Sequence, residues 1–228
     1  LEQQEFGSRI IYAQQGLSLA KKNDDLKGQA DCLLIIATSN GWLKNLGLAV
    51  QYALEAIKVY EGLKEHAGIV ESCAVLQAGY REAGGYRKSL NYAFLAAEVS
   101  ETKNVMGREF SFPGVYLAPL MLAEIAQTYV LMDKLDSALF YTQKAIDEKS
   151  IFNGYPWNFP IYLEATYQAM KGDFNSALAN FRIAKEFAPK NGFSRDTLQI
   201  GSGMANLFVK MGKPDSALHY GKGVVRAW

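Results

Sequence analysis

An internal repeat constrains this chain more than any other feature of its sequence. Six segments align without gaps: SRIIYAQQG (8–16), LAVQYALEA (48–56), KSLNYAFLA (88–96), SALFYTQKA (137–145), SALANFRIA (176–184) and SALHYGKGV (216–224). Their second residues, Arg9, Ala49, Ser89, Ala138, Ala177 and Ala217, lie 40, 40, 49, 39 and 40 residues apart. The third residue is always aliphatic: Ile10, Val50, Leu90, Leu139, Leu178 or Leu218. Seven residues after the second stands Gly16, Ala56, Ala96, Ala145, Ala184 or Val224. An offset of seven is two helical turns, so these small residues share one helical face. A small-residue face lets a neighbouring helix approach closely.

A second helix precedes each of these in the full repeats. Twelve residues upstream of the small residue stand Ala37, Gln77, Ala126, Ala165 and Ala205; three further on stand Asn40, Tyr80, Tyr129, Gln168 and Phe208. Breaks follow at AGGY (83–86), KGDF (171–174) and MGKP (211–214). Glycine ends a helix well, and Pro214 suits the first turn of the next. Asp136, Asn175 and Asp215 fall at or near the positive start of a helix. Each unit therefore reads as helix, tight turn, helix. One such pair cannot bury its apolar face alone, whereas stacked pairs can.

The stretches YREAGGYRKSLNYAFLAAE (80–98), YVLMDKLDSALFYTQKAI (129–146), YQAMKGDFNSALANFRIAKEFAP (167–189) and FVKMGKPDSALHYGKGVV (208–225) resemble the tetratricopeptide repeat family. The resemblance implies an all-α fold, a right-handed superhelical solenoid of antiparallel helix pairs whose first helices line a concave groove. It covers nearly the whole chain as a single array: a half repeat over 1–24, then repeats over about 25–64, 65–103, 114–150, 156–189 and 193–228. Two departures stand out. The period is about 40 residues against the usual 34, and the Trp–Leu–Gly start of the first helix is mostly missing. Such a period also suits a HEAT-like array; the tight glycine turns and the DSAL starts favour the tetratricopeptide reading. The chain opens in a second helix and stops at GKGVVRAW, which is not a polar cap, so the sequence is expected to be part of a longer protein.

Composition excludes several functional classes. Lys plus Arg is 24 and Asp plus Glu is 23, which gives no electrostatic footprint for nucleic acid or an anionic membrane. No apolar run approaches the roughly 18 residues of a membrane span. Cys32 and Cys73 make neither a metal signature nor a disulfide framework, and both are expected as buried free thiols. Of the two histidines, His66 reads as a helix-start residue and His219 as a packed or solvent-facing one. No phosphate loop, zinc-helix signature or nucleophile elbow is present. The GSG at 201–203 lies inside a helical pattern and reads as close helix packing; Glu124, Asp133 and Asp136 read as surface charges. The expectation is a non-enzymatic chain without cofactor or metal.

What remains is surface. Helix periodicity places an outward row of the first helices at Asp31, Leu34 and Thr38; Glu71, Ala74 and Ala78; Glu124 and Gln127; Tyr162 and Thr166; and Gln199, Ser202 and Asn206. Two irregular corners, MGREFSFPGVY (106–116) and FNGYPWNFP (152–160), interrupt the array and carry clustered aromatics. Phe110, Phe112, Trp157 and Phe159 read first as seam-fillers between repeats, and second as borders of a pocket. The candidate binding residues are accordingly Thr38, Glu71, Glu124, Gln127, Tyr155, Trp157, Tyr162, Thr166, Gln199 and Asn206. The family's carboxylate clamp of Lys and Asn is absent from these rows, which argues against a chaperone-tail adaptor. The opening YAQQGLSLAKKNDDLKGQADCLLIIATSNGWLKNLGLAVQYALEAIKVYEGLKEHAG is similar to arrays in the sensor regions of bacterial two-component histidine kinases, notably of the Bacteroidetes type. The expected partner is a protein or peptide in the concave groove, exposed end helices favour association of two copies, and the setting is either periplasmic or cytoplasmic. A free-standing scaffold and the peptide-binding half of a transcription regulator are the alternatives.

Overall fold

In a computed structural model, the described residues are 2–108, 116–148, 158–187 and 195–225. Among them the structure is helical apart from one isolated β-bridge, Met106 to Tyr116. The expected all-α architecture of antiparallel helix pairs, tetratricopeptide-like with a period of about 40 residues, is what the chain adopts. It divides into two compact units, Leu1–Lys134 and Leu135–Trp228.

The first unit holds α1 (Glu2–Lys22), α2 (Leu26–Trp42), α3 (Leu46–Leu63), α4 (His66–Glu82), α5 (Tyr86–Lys103) and α6 (Ala118–Leu131). Each helix packs on the next, and α2 also meets α4. Helices α2 to α5 run 17 or 18 residues, long enough to explain a period above the family norm. The small residues at the repeated positions are the closest-packed points: Ala49, Ala53 and Ala56 of α3 and Ala93 and Ala96 of α5 have 1% exposure or less. Gly16 of α1 follows the same logic, since a Cβ there would lie 2.9 Å from the Cys32 sulfur on α2. Cys73 is buried as the sequence suggested; Cys32 is only partly buried, because it faces the α1 contact rather than the centre of the unit.

The second unit holds α7 (Leu135–Asp147), α8 (Asn158–Lys171), α9 (Phe174–Phe187), α10 (Arg195–Lys210) and α11 (Pro214–Val225). Its core joins Ala165 of α8, Ala177, Phe181 and Ala184 of α9, Ile200, Met204 and Leu207 of α10, and Ala217 of α11. The GSG of α10 is a packing device, as its setting implied: a Cβ on Gly203 would stand 2.7 Å from the Phe181 ring.

Helix ends share one closure. Asp24, Lys44, Lys64, Gly84, Asn104, Asp133, Gly172 and Gly212 all take positive φ. After each, a backbone N–H reaches five residues back, as from Asn45 to the Asn40 carbonyl at 2.9 Å and from Gly85 to the Tyr80 carbonyl at 2.8 Å. This closure satisfies carbonyls that the last helical turn leaves open. Helix starts are capped by Asp25, which accepts from the Gly28 N–H at 2.9 Å, and by Asp173, which accepts from Ser176 at 3.2 Å. His66 opens α4 as expected.

Candidate functional site

The most elaborate side-chain arrangement in the described residues lies in the first unit, where α2, α3 and α4 meet. The helix period brings Asp31 on α2 and Glu71 on α4 to equivalent places one repeat apart. Tyr60, in the last turn of α3, stands with them. Gly68 sets the tyrosine ring, because a Cβ at that position would come within 2.4 Å of it. Into this corner comes Arg108, from the connection between α5 and α6. Its Nε donates to Glu71 Oε2 at 2.7 Å, one terminal nitrogen donates to Asp31 Oδ1 at 2.6 Å, and the other to the Tyr60 hydroxyl at 3.1 Å. Its guanidinium carbon stands 4.9 Å from the centre of the Tyr60 ring. Its backbone N–H donates to Glu71 Oε1 at 3.1 Å. Tyr60 in turn donates to Asp31 Oδ1 at 2.7 Å. The connection is held at its base by Leu117 donating to the Val105 carbonyl at 3.1 Å.

The electrostatics follow from burial. Glu71 is 4% exposed, and the Arg108 guanidinium is set against its carboxylate as an ion pair. Burial works against charge on Asp31, but hydrogen bonds from Tyr60 and Lys27 and the Arg108 charge outweigh it and hold the carboxyl below its ordinary range. Burial, reinforced by the bond to Asp31, pushes the Tyr60 hydroxyl up, so it stays a neutral donor. Burial also opposes charge on Arg108, yet Glu71 more than compensates and the guanidinium is held charged.

One repeat further on, Glu124 of α6 is 3% exposed; Gln77 of α4 donates to it at 3.1 Å and Arg81 forms an ion pair with it. The reading of Glu124 as a surface charge is therefore corrected: helix packing removes it from water, and α4 supplies its partners. Asp133 and Asp136 are exposed as expected. The row expected to face outward is also more buried than its spacing suggests, with Leu34 at 2% exposure alongside Glu71 and Glu124, because α2 and α4 pack directly on one another.

The other candidates are placed as follows. Thr38 is partly buried and donates to the Leu34 carbonyl of its own helix at 2.8 Å; Thr166 does the same to Tyr162 at 2.8 Å. Gln127 and Gln199 are half-buried and Asn206 is exposed. Tyr162 packs edge-on against Phe181, with centroids 6.0 Å apart. Tyr155 and Trp157 lie outside the described residues, as do Phe110 and Phe112, and nothing of the Phe159 side chain is described. Arg108, Arg81 and Tyr60 escaped the sequence reading. The available signal was an arginine in the first of the two irregular corners, the one that stretches a spacing to 49, with one acid per first helix to receive it.

No protein-family model matches the chain, and no curated protein matches it. Solved structures do. BtubC from P. vanneervenii aligns with a TM-score of 0.65 at 12% identity, over 97% of this chain and 90% of that one. The apo form of RapI aligns with a TM-score of 0.68 at 16% identity, over 98% of this chain and 70% of that one. A Rap protein complexed with Competence and Sporulation Factor gives a TM-score of 0.70 at 12% identity, over 99% and 71%. At such identities the likeness establishes the fold.

Proposed function

We propose that this chain is a non-catalytic repeat region that binds a protein or peptide partner along its first helices. The observation that carries this reading is the fixed polar ladder of the first unit. Asp31, Glu71 and Glu124 stand one per first helix, each held in one orientation by an arginine. The members that reach the surface are Asp31, 24% exposed, and the arginines Arg108 and Arg81, 14% and 13% exposed; ordered polar groups of this kind provide direction at low entropic cost to an incoming chain. Thr38 and Gln127 extend the proposed recognition surface of the first unit; Tyr162, Thr166, Gln199 and Asn206 are the proposed counterparts in the second, and Tyr155 and Trp157 remain candidates on their sequence alone. A structure of the same fold complexed with Competence and Sporulation Factor supports the reading.

In the fuller form of the proposal, the region is the sensory or regulatory part of a bacterial signalling protein such as a two-component histidine kinase. Partner binding is then passed to an output module elsewhere. Incubation of the chain with labelled ATP is expected to leave it unlabelled; autophosphorylation would overturn the non-catalytic assignment. Association through end helices belongs to the same proposal. Ile11, Tyr12 and Leu19 of α1 are 56%, 72% and 60% exposed, and light scattering on Tyr12→Lys against the wild type tests whether they hold two copies together.

A further inference from the structure

We infer that the corner of Asp31, Tyr60 and Glu71 is a preformed seat for a guanidinium, which Arg108 fills as an internal ligand and which the arginine of a bound partner takes by displacing it. The inference rests on the partner-binding reading above and names the group that is read.

Three observations support it. First, the seat belongs to α2, α3 and α4, whereas its occupant arrives from the connection after α5, 77 residues from Asp31 and 37 from Glu71. Second, the walls are set without Arg108. The Tyr60 ring lies against α4 where Gly68 leaves no Cβ, and the Tyr60 hydroxyl donates to Asp31 directly. Third, the contacts suit a planar fork: donors to two carboxylates and a hydroxyl, with an aromatic face alongside. An ammonium is a point charge and cannot satisfy these groups together. The chemistry of a replacement is constrained as well. Glu71 is 4% exposed, and a buried carboxylate is costly without a cation against it, so a cation is the fitting replacement for Arg108. The approach is from the Asp31 side, where the carboxylate side chain is 24% exposed and Lys27 closes the rim at 3.0 Å.

Chemical rescue tests the seat. Arg108→Ala is expected to lower the melting temperature by several degrees. Argininamide at millimolar concentration should recover about half of that loss, whereas lysinamide or sodium chloride at equal ionic strength should not. Neither amide should shift the wild type, whose seat is filled, and adding Asp31→Asn to Arg108→Ala should weaken the rescue. If Arg108→Ala fails to fold, the two amides are added during refolding, and selective recovery with argininamide is read instead. Equal effects of the two amides overturn the seat.

Panning a random-peptide library on the wild-type chain tests the partner. Enriched peptides that carry arginine and lose fivefold or more in affinity with Asp31→Asn support the inference. Enriched peptides without arginine, indifferent to Asp31→Asn, overturn the seat and leave the broader reading standing. No enrichment overturns the broader reading, and the partner's half of this inference with it.

Discussion

Arg81 and Arg108 each answer a carboxylate that helix packing has taken out of water, and the cost of losing them follows from that burial. Arg81→Ala removes the cation set against Glu124, a carboxylate at 3% exposure, and should cost about 3 kcal/mol or more in urea unfolding. Replacing both partners with methionine should recover much of the loss, since the buried carboxylate goes too. Lys44→Ala, which breaks the exposed pair with Glu82, should cost under about 1 kcal/mol. Cysteine reactivity divides the same way. Burial, with a smaller contribution from Glu61, pushes the Cys73 thiol up to about 12, so it should alkylate only on unfolding, while partly buried Cys32 reacts first. The pH dependence has two ends. The Asp31 carboxyl is lowered in the folded state, so its contribution is present above its unfolded value of about 3.9 and is lost as pH falls below that. Tyr60 is raised, so its contribution is full below about pH 10 and is lost as pH rises further. Nothing in the spacing of Glu124 marks it as buried. Its spacing is that of a first-helix surface row, and only the approach of α4, with Gln77 and Arg81, changes its surroundings.

At the scale of the element, the repeat explains where substitutions gain and where they lose. Ser89 stands where the other full repeats have alanine, and its hydroxyl is buried without a hydrogen-bond partner. Ser89→Ala should therefore raise stability by about 1 kcal/mol, read as a shift of the urea midpoint at unchanged slope. Glycine to alanine should change sign with position. Gly7 lies within α1 with nothing near its would-be Cβ, and Gly7→Ala should stabilise by about 0.5–1 kcal/mol. Gly68→Ala puts a methyl into the Tyr60 ring and should destabilise by about 1–3 kcal/mol. The helix ends show why only three turns were legible as such. Gly84, Gly172 and Gly212 announce a left-handed residue, but Asp24, Lys44, Lys64, Asn104 and Asp133 take the same conformation without the glycine signal. Their place in the period, every 20 residues from Asp24 to Asn104 with Gly84 counted among them, is the better guide.

Across the whole molecule, the fold was legible because stacking forces every repeat to solve the same packing problem. Small residues must recur wherever helices cross, so Ala49, Ala138, Ala177 and Ala217 advertise the architecture even where the family's usual period and opening signature are missing. The candidate site was half legible. Asp31 and Glu71 lie on the row that periodicity picks out, but their partner comes from the irregular connection, where no period applies. Function stands one step further from the sequence, because a repeat array is defined by what it holds and many sequences keep the same scaffold. The central claim is that the first helices recognise a partner. Its most direct test is calorimetric titration of a library-selected peptide into the wild type, Gln127→Ala, Thr38→Ala and, as a second-helix control, Lys58→Ala. The account predicts saturable binding that weakens at least fivefold in the two first-helix variants and is unchanged in Lys58→Ala. Binding that is indifferent to Gln127 and Thr38, or lost equally with Lys58, would contradict it.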